Sequence, residues 1–309
     1  MPFDEPVLMT FQSLRIPALT GVFLLLTEFG AETIQLPLIA FLYWCGKKRI
    51  AILIGISFFS GMVVNQLLKI TFCVQRPFLR FENLAAVAEA LPGASGFSFP
   101  SGHTAGAISV YGMIAMLTEK RWLKVVMVSL IAAVGISRLY LGVHTPTDVL
   151  AAIVIGTLIL IAVRIASRSL AANPALKNRF LLLGFALLLI SMLYALLKPY
   201  PEGTGAFLRS DVMKTVGAAL GGLIGFRVEE SKLRFEAPKS WLGKILVFIP
   251  GIALTMALRV LLKAPLNAAF GELVGSFVRY VLITFWITAL YPVLFGWTLR
   301  RAKRTAPVA

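Results

Sequence analysis

Long apolar stretches recur from one end of the 309-residue chain to the other, separated by polar segments that are mostly short. A helix needs about 20 mostly apolar residues to cross a bilayer, and about nine stretches approach that length. Their approximate limits are 17–45, 51–72, 103–118, 123–141, 147–166, 179–198, 207–226, 244–262 and 275–298. The pattern predicts an all-α fold, namely a polytopic membrane helical bundle of about nine spans.

Composition and charge agree with a membrane protein. Hydrophobic residues make up 58% of the chain and charged residues 14%, against about 25% charged in a soluble domain. The net charge of +16 does not indicate nucleic-acid binding, because most basic residues gather in alternate inter-span segments. These clusters lie at 47–49, 120–124, 164–179, 227–244 and 300–304. By the positive-inside rule they are cytoplasmic, which places the N-terminus outside and the C-terminus inside.

The chemistry-bearing residues are confined to the first half of the chain. We therefore expect a catalytic membrane core over residues 1–170, followed by a C-terminal group of about four spans over 171–309. The external segment from Arg76 to Pro100 is rich in proline and glycine, which break regular structure. Such a long segment within a compact domain is usually either functional or disordered.

Three short polar motifs lie at predicted external ends of spans. The first is Lys69 with Arg76-Pro77, where the seven-residue spacing of the two cations is close to two helical turns. The others are Pro100-Ser101-Gly102-His103 and Ser137-Arg138, followed by His144 and Asp148. Together they supply three cations and a helix N-terminus, both of which bind phosphate well. Gly102 would let the anion approach the backbone closely.

Both histidines of the chain belong to these motifs. Thr145 and Pro146 are typical of a helix start, with threonine as the N-cap and proline in the first turn. That geometry would return Asp148 to the ring of His144, fixing its tautomer and leaving the other nitrogen free to attack. The residues thus favour phosphoryl transfer over the alternative of packed, interfacial histidines.

The three motifs together resemble the signature of the type 2 phosphatidic acid phosphatase superfamily, which also includes glucose-6-phosphatase and the vanadium haloperoxidases. The resemblance covers about residues 60–150 and matches in residue types and in the spacing within each motif. It implies a nucleophile at His144, an orienting carboxylate at Asp148 and a general acid at His103. It also implies phosphate contacts by Lys69, Arg76, Ser101, Gly102 and Arg138, with no metal ligand and no cofactor.

The resulting hypothesis is a metal-independent phosphoric monoester hydrolase of the membrane, acting on a phosphorylated lipid, or an acid anhydride hydrolase if that lipid is a diphosphate. Phosphatidic acid, phosphatidylglycerophosphate and polyprenyl diphosphate are the candidate substrates. The nearest alternative is a sugar-phosphate phosphatase with the nine-span layout of glucose-6-phosphatase. We expect a bacterial plasma membrane with the site facing outward and no nucleic-acid partner; homo-oligomerisation stays open.

Two further interpretations concern residues outside the motifs. Glu28, Glu32 and Arg80 are candidates for contacting the substrate head group, with a purely structural or solvated role as the alternative. A transporter or channel would string ionisable residues through the bilayer on several spans. Here they gather at one external level, which favours an enzyme.

Overall fold

The structure, a computed structural model, describes residues 3–233 and 235–296, and every regular element in that part is helical. The α-helices are α1 (Asp4–Ser13), α2 (Pro17–Glu28), α3 (Glu32–Cys45), α4 (Lys48–Phe72), α5 (Pro77–Arg80), α6 (Gly102–Ala107), α7 (Met113–Leu117), α8 (Arg121–Tyr140), α9 (Pro146–Ala172), α10 (Lys177–Leu197), α11 (Gly205–Val228), α12 (Trp241–Leu261) and α13 (Lys263–Phe285). A π-helical turn, Ile108–Gly112, joins α6 to α7. Arg234, the end of the ninth apolar stretch and the basic cluster at 300–304 lie outside the described residues.

The all-helical membrane fold is confirmed, with six helical segments long and apolar enough to cross a membrane. They are Lys48–Arg80, Arg121–Tyr140, Pro146–Ala172, Pro174–Leu197, Trp241–Leu261 and Lys263–Gly296. The pair α2 and α3 is bent by 41° at a short break, and the number rises to seven if this pair forms one span. The count of nine spans and the orientation of the termini stay predictions.

Two of the predicted spans are helical but weaker candidates. From Gly102 to Leu117 the chain covers only about 24 Å, against about 30 Å of hydrocarbon. The helix α11 is long enough, but Arg209, Asp211 and Lys214 interrupt its first half. The sequence pattern therefore located the helices correctly, whereas length and polarity leave these two crossings undecided.

The described residues form two compact units, of which the first comprises 3–38, 53–176 and 200–202. Its core includes the end of α8, where Tyr140, Leu141 and Val143 pack with Ala90 and Ala94 of the long external segment. The rings of Tyr140 and Phe23 are stacked, with centroids 4.2 Å apart. All three polar motifs lie in this unit.

The second unit comprises residues 39–52, 177–199 and 203–296. Its helices α11 and α13 approach closely, because a Cβ atom added at Gly217 or Gly221 would overlap the backbone of α13. Near Tyr43, the buried carboxylate of Glu229 accepts from Lys48 Nζ at 2.7 Å. None of the predicted site residues lies in this unit.

Candidate active site

The predicted site residues occupy helix ends of the first unit. Lys69 lies in the last turn of α4 and Arg138 in the last turn of α8. His103 follows the first residue of α6, and Asp148 lies in the first turn of α9. The external segment begins at Arg76, the residue before α5. Because polar ends of separate helices meet here, residues far apart in sequence form one cluster.

His144 is the buried centre of this cluster, with 1% of its surface exposed. Its Nε2 lies 2.7 Å from Arg76 Nη1, and its Nδ1 lies 3.4 Å from Asp148 Oδ2. A guanidinium only donates hydrogen bonds, so Nε2 must be the acceptor and Nδ1 carries the proton. The arrangement leaves a lone pair on Nε2, the nitrogen opposite the carboxylate.

Asp148 is fixed by the start of its own helix and by the external segment. Thr145 caps α9 in a reciprocal capping box: Asp148 N donates to Thr145 Oγ1 at 3.2 Å, and Thr145 N donates to Asp148 Oδ2 at 2.8 Å. The helix start predicted at Thr145-Pro146 is confirmed. Ser98 Oγ also donates to Asp148 Oδ2, at 2.5 Å, and lies 3.4 Å from His144 Nδ1. The serine therefore helps to hold the carboxylate against the imidazole.

The cations Lys69 and Arg76 hold the external segment around the histidine. Lys69 Nζ donates to the Phe97 carbonyl at 2.5 Å. Arg76 donates through Nε to the Gly96 carbonyl at 3.1 Å and through Nη2 to the Ser95 carbonyl at 2.8 Å. Both side chains are more than nine-tenths buried. They thus combine a structural contact with a positive charge beside the ring of His144.

Arg138 is the third cation and the least engaged. Its Nη1 donates to Thr27 Oγ1 at 2.7 Å. Its Nε and Nη2 are buried, and neither has a hydrogen-bond partner within the described part of the chain. Arg138 lies within electrostatic range of both histidines. Two unused donors on one buried guanidinium are suited to an anion.

The second histidine, His103, begins α6 directly after the Ser101-Gly102 pair. Ser101 is the N-cap, and its Oγ accepts from Thr104 N at 3.4 Å. Ser101 N donates in turn to the Asp148 carbonyl at 3.1 Å, which ties the α6 start to the α9 start. The helix start predicted at this pair is confirmed, and it brings His103 within electrostatic range of all three cations.

The electrostatic environment of His144 favours the neutral ring. Burial is the largest cause, and the charges of Arg76, Arg138 and Lys69 act in the same direction. Together they hold the pKa of His144 well below its ordinary value of 6.5. A neutral imidazole among cations is a nucleophile that does not need to be deprotonated first.

The three head-group candidates fare differently. Glu28 is exposed at the end of α2 and acts electrostatically on Arg138. Glu32 is exposed at the start of α3. Arg80 is exposed and lies over the ring of Phe81, 5.1 Å from its centroid. Contact of any of them with a substrate stays a prediction.

Sequence reasoning missed two residues that touch the site, Ser98 and Thr27. Both are hydroxyl residues without a recognisable spacing to the histidines, and each meets its partner through the fold. The one signal for Ser98 in the sequence is its position two residues before the motif Pro100-Ser101-Gly102, within the same irregular segment. No local signal marked Thr27, which lies 111 residues from Arg138.

Comparison with known proteins agrees with the motif reading. Residues 50–170 match the PAP2 superfamily, and residues 213–304 match the family described as PAP2 superfamily phosphatase, transmembrane extension. The chain is 32% identical to an undecaprenyl-diphosphatase of Sulfolobus acidocaldarius over 144 residues, covering 46% of this chain and 68% of that protein. It is 32% identical to phosphatidylglycerophosphatase B of Bacillus subtilis over 174 residues, or 52% and 81% of the two chains.

Among solved structures, the chain is similar to a transmembrane PAP2-type phosphatidylglycerolphosphate phosphatase from Bacillus subtilis. The TM-score is 0.47 at 30% sequence identity, over 54% of this chain and 86% of that one.

Proposed function

Since the chain belongs to the PAP2 superfamily, we propose that it is an integral membrane phosphatase that hydrolyses a lipid phosphate or diphosphate through a phosphohistidine on His144. The observation that carries this proposal is the convergence of two histidines and three cations within a single buried cluster. Cations and a helix N-terminus around a neutral imidazole suit the transfer of a phosphoryl group to that imidazole, because they stabilise the negative charge of the phosphoryl oxygens.

The first half of the reaction forms a bond between His144 Nε2 and phosphorus. Asp148 and Ser98 keep Nδ1 protonated and the ring oriented, and the bond from phosphorus to the leaving oxygen breaks as the new bond forms. His103 donates a proton to the departing oxygen. General acid assistance of this kind contributes about 10²–10⁴-fold to the rate.

The second half returns the enzyme to its starting state. Water attacks phosphorus, His103 accepts its proton, the nitrogen–phosphorus bond breaks and inorganic phosphate leaves. Lys69, Arg76 and Arg138 offset the charge on the three equatorial oxygens in both halves. When phosphate enters, it would take the place that Arg76 Nη1 now occupies beside Nε2, and Arg76 would contact the anion instead.

We further propose that the reaction needs no metal. The positive charge that a metal would supply comes from three buried or nearly buried cations. Within residues 3–233 and 235–296, no three His, Cys, Asp or Glu side chains group together as metal ligands.

The lipid class of the substrate is supported by the relatives, whose names refer to undecaprenyl diphosphate and phosphatidylglycerophosphate. A substrate with its tail in the bilayer also suits a site built at the ends of apolar helices. Glu28, Glu32 and Arg80 would contact its head group. The proposal places catalysis in residues 1–170 of a nine-span chain with an external N-terminus and a cytoplasmic C-terminus. The site would face outward from a bacterial plasma membrane.

The experiment is phosphate release by purified protein in detergent from a panel of substrates. The panel contains phosphatidic acid, phosphatidylglycerophosphate, undecaprenyl diphosphate and glucose 6-phosphate, each with and without EDTA. We expect turnover of at least one lipid substrate, insensitive to EDTA. His144→Ala should abolish turnover, and His103→Ala should slow both half-reactions by about 10²–10⁴-fold.

A covalent intermediate gives a second readout. Phosphate labelled on the substrate should appear on the protein in an acid-labile, base-stable form when the reaction is quenched early in alkali. His103→Ala should accumulate more of it if dephosphorylation is slowed more than phosphorylation. Preference for glucose 6-phosphate would replace the lipid proposal by a sugar-phosphate one, and unchanged turnover in His144→Ala would refute the mechanism.

A further inference from the structure

The bend between α2 and α3 brings a segment outside the matched PAP2 region against the site. Thr27, in the last turn of α2, is 4% exposed, and its Oγ1 accepts from Arg138 Nη1 at 2.7 Å. The matched region begins only at residue 50. This contact therefore comes from a part of the chain that the superfamily match does not include.

The contact divides the guanidinium of Arg138 into a held nitrogen and two unused ones. A guanidinium is planar and rigid, so holding Nη1 fixes the direction of every other N–H. Nε and Nη2 share one edge of the plane, the edge that binds two oxygens of one phosphate side by side. Both are buried without a partner among the described residues, and a buried donor without a partner is destabilising unless a ligand satisfies it.

The same bend is itself held in place. The Phe29 carbonyl accepts from Tyr111 Oη at 2.7 Å and from Gln35 Nε2 at 3.1 Å. Gly30 packs so closely that a Cβ atom there would lie 2.9 Å from His103 Cβ. The bend thus contacts the acid His103 as well as the cation Arg138, and it has little freedom to move away from either.

We propose that Thr27 is a positioning residue for phosphate binding: its hydroxyl orients Arg138 so that Nε and Nη2 meet the phosphoryl group. This inference rests on the proposed function, because it assigns the two free donors to the phosphoryl group that His144 attacks. The two free donors of Arg138 would bind any phosphate ester or phosphate analogue that reaches the site, so inorganic orthovanadate is a sufficient probe.

The test compares three single variants. Thr27→Val removes the hydroxyl at nearly constant shape, and we expect kcat/KM to fall by about 10- to 100-fold, since small misplacements of a positioning group have effects of this size. Thr27→Ser restores the hydroxyl and should recover most of the loss. Thr20→Val is the matched control: Thr20 lies on the same helix, and its hydroxyl pairs with Tyr140 Oη at 3.1 Å, not with the guanidinium of Arg138.

A second measurement separates positioning from general destabilisation. In an Arg138→Lys background the planar fork is absent, so Thr27→Val should add less than about twofold to the loss already present. Orthovanadate should raise the melting temperature of the wild type and of Thr20→Val, but clearly less that of Thr27→Val. This binding readout needs no turnover, so it also tests the inference if the chain hydrolyses none of the substrates above.

Three results would overturn the inference. They are an unchanged kcat/KM and vanadate shift in Thr27→Val, an equal loss in Thr20→Val, and full additivity of Thr27→Val with Arg138→Lys. If Thr27→Val does not fold, Thr27→Ser is compared with Arg138→Lys instead. A vanadate-induced rise in melting temperature that is as small in Thr27→Ser as in Arg138→Lys would contradict the inference, because the retained hydroxyl should keep Arg138 oriented. A wild type that binds vanadate without hydrolysing any phosphate ester would instead count against the proposed function alone.

Discussion

At the scale of one residue, the effect of Arg76 on His144 can be measured in a pH profile. Its Nη1 lies 2.7 Å from His144 Nε2, and its charge is the first electrostatic cause, after burial, of the lowered pKa of His144. In the proposed mechanism the neutral ring of His144 attacks, so kcat/KM should fall on the acid side of the pH profile only as His144 becomes protonated. We expect this fall of kcat/KM, the acid limb of the pH profile, to lie well below pH 6.5 in the wild type.

Replacing Arg76 by glutamine should move the limb in a defined direction. Removing a nearby positive charge favours the imidazolium, so the pKa of His144 rises and activity is lost at a higher pH than in the wild type. The measurement is kcat/KM against pH for wild type, Arg76→Gln and Arg121→Gln. The last is the control, because Arg121 is exposed at the start of α8, at the opposite end of that helix from Arg138. An acid limb that stays in place in Arg76→Gln, or moves equally in Arg121→Gln, contradicts this account of His144.

The residue scale also shows where sequence reasoning stops. Cations and histidines are conspicuous in apolar sequence, so their motifs can be recognised without the fold. The residues concerned are Lys69, Arg76, His103, Arg138 and His144. Ser98 and Thr27 were not found, because hydroxyl residues are common in such sequence and acquire a role only through a partner. Their partners, Asp148 and Arg138, are 50 and 111 residues away, and no local pattern encodes such distances.

At the scale of elements, the turn between α8 and α9 sets the distance between Arg138 and His144. The Arg138 carbonyl accepts from Val143 N at 3.2 Å and from His144 N at 3.4 Å, and the turn passes through Gly142 with φ +73°. A Cβ atom at Gly142 would lie 2.6 Å from Arg15 Nη2 and 3.0 Å from the Ala85 carbonyl oxygen. Both the backbone conformation and the available space therefore require glycine.

Gly142→Ala and Gly203→Ala form a matched pair. Gly203 has φ +74° but no atom within 4 Å of an added Cβ, so its substitution should cost only the conformational strain of about 1 kcal/mol. Gly142→Ala adds steric overlap and should cost about 2–3 kcal/mol in total. Thermal unfolding in detergent should rank wild type above Gly203→Ala above Gly142→Ala, and only Gly142→Ala should lower kcat/KM. Equal effects of the two substitutions would argue against a role for this turn in the site.

The elements themselves were largely predictable, with informative exceptions. Apolar runs of spanning length and the capping residues Ser101 and Thr145 mark the helices and helix starts that the structure contains. The bend at residues 29–31 was not foreseen, because 17–45 reads as one continuous apolar stretch. Glycine can be accommodated within such a stretch, and the close packing of Gly30 against Val134 and His103 becomes visible only in the fold.

At the scale of the whole molecule, two segments decide how many times the chain crosses the membrane. The nine-span prediction needs both the short Gly102–Leu117 region and the charged helix α11 to cross, although neither is among the six segments that are long and apolar enough alone. If α11 does not cross, every later loop changes sides, and the positive-inside pattern fails for the rest of the chain. The Gly102–Leu117 region is followed by α8, which returns to the cluster that holds both histidines, so this region crosses only together with α8.

Four exposed glutamates bracket these two segments and allow a direct test. Glu89 precedes the first segment and Glu119 follows it; Glu202 precedes α11 and Glu236 follows it. The background carries Cys45→Ala and Cys73→Ala, and each glutamate is replaced singly by cysteine. Intact cells are then labelled with a membrane-impermeant thiol reagent, with phosphate release as the check that each variant is folded.

Alternation of labelling is the expected outcome, because each bracketed segment should carry the chain across once. Glu89→Cys and Glu202→Cys should react in intact cells, whereas Glu119→Cys and Glu236→Cys should react only after permeabilisation. Labelling of Glu89→Cys and Glu119→Cys from the same side would mean that neither the helix bearing His103 nor α8, which returns to the same cluster, crosses the membrane. Equal labelling of Glu202→Cys and Glu236→Cys would remove α11 from the spans. If Glu89→Cys is not labelled in intact cells whereas Glu119→Cys is, the site faces inward. Glu89 reports on the site because it belongs to the segment that Lys69 and Arg76 hold around His144.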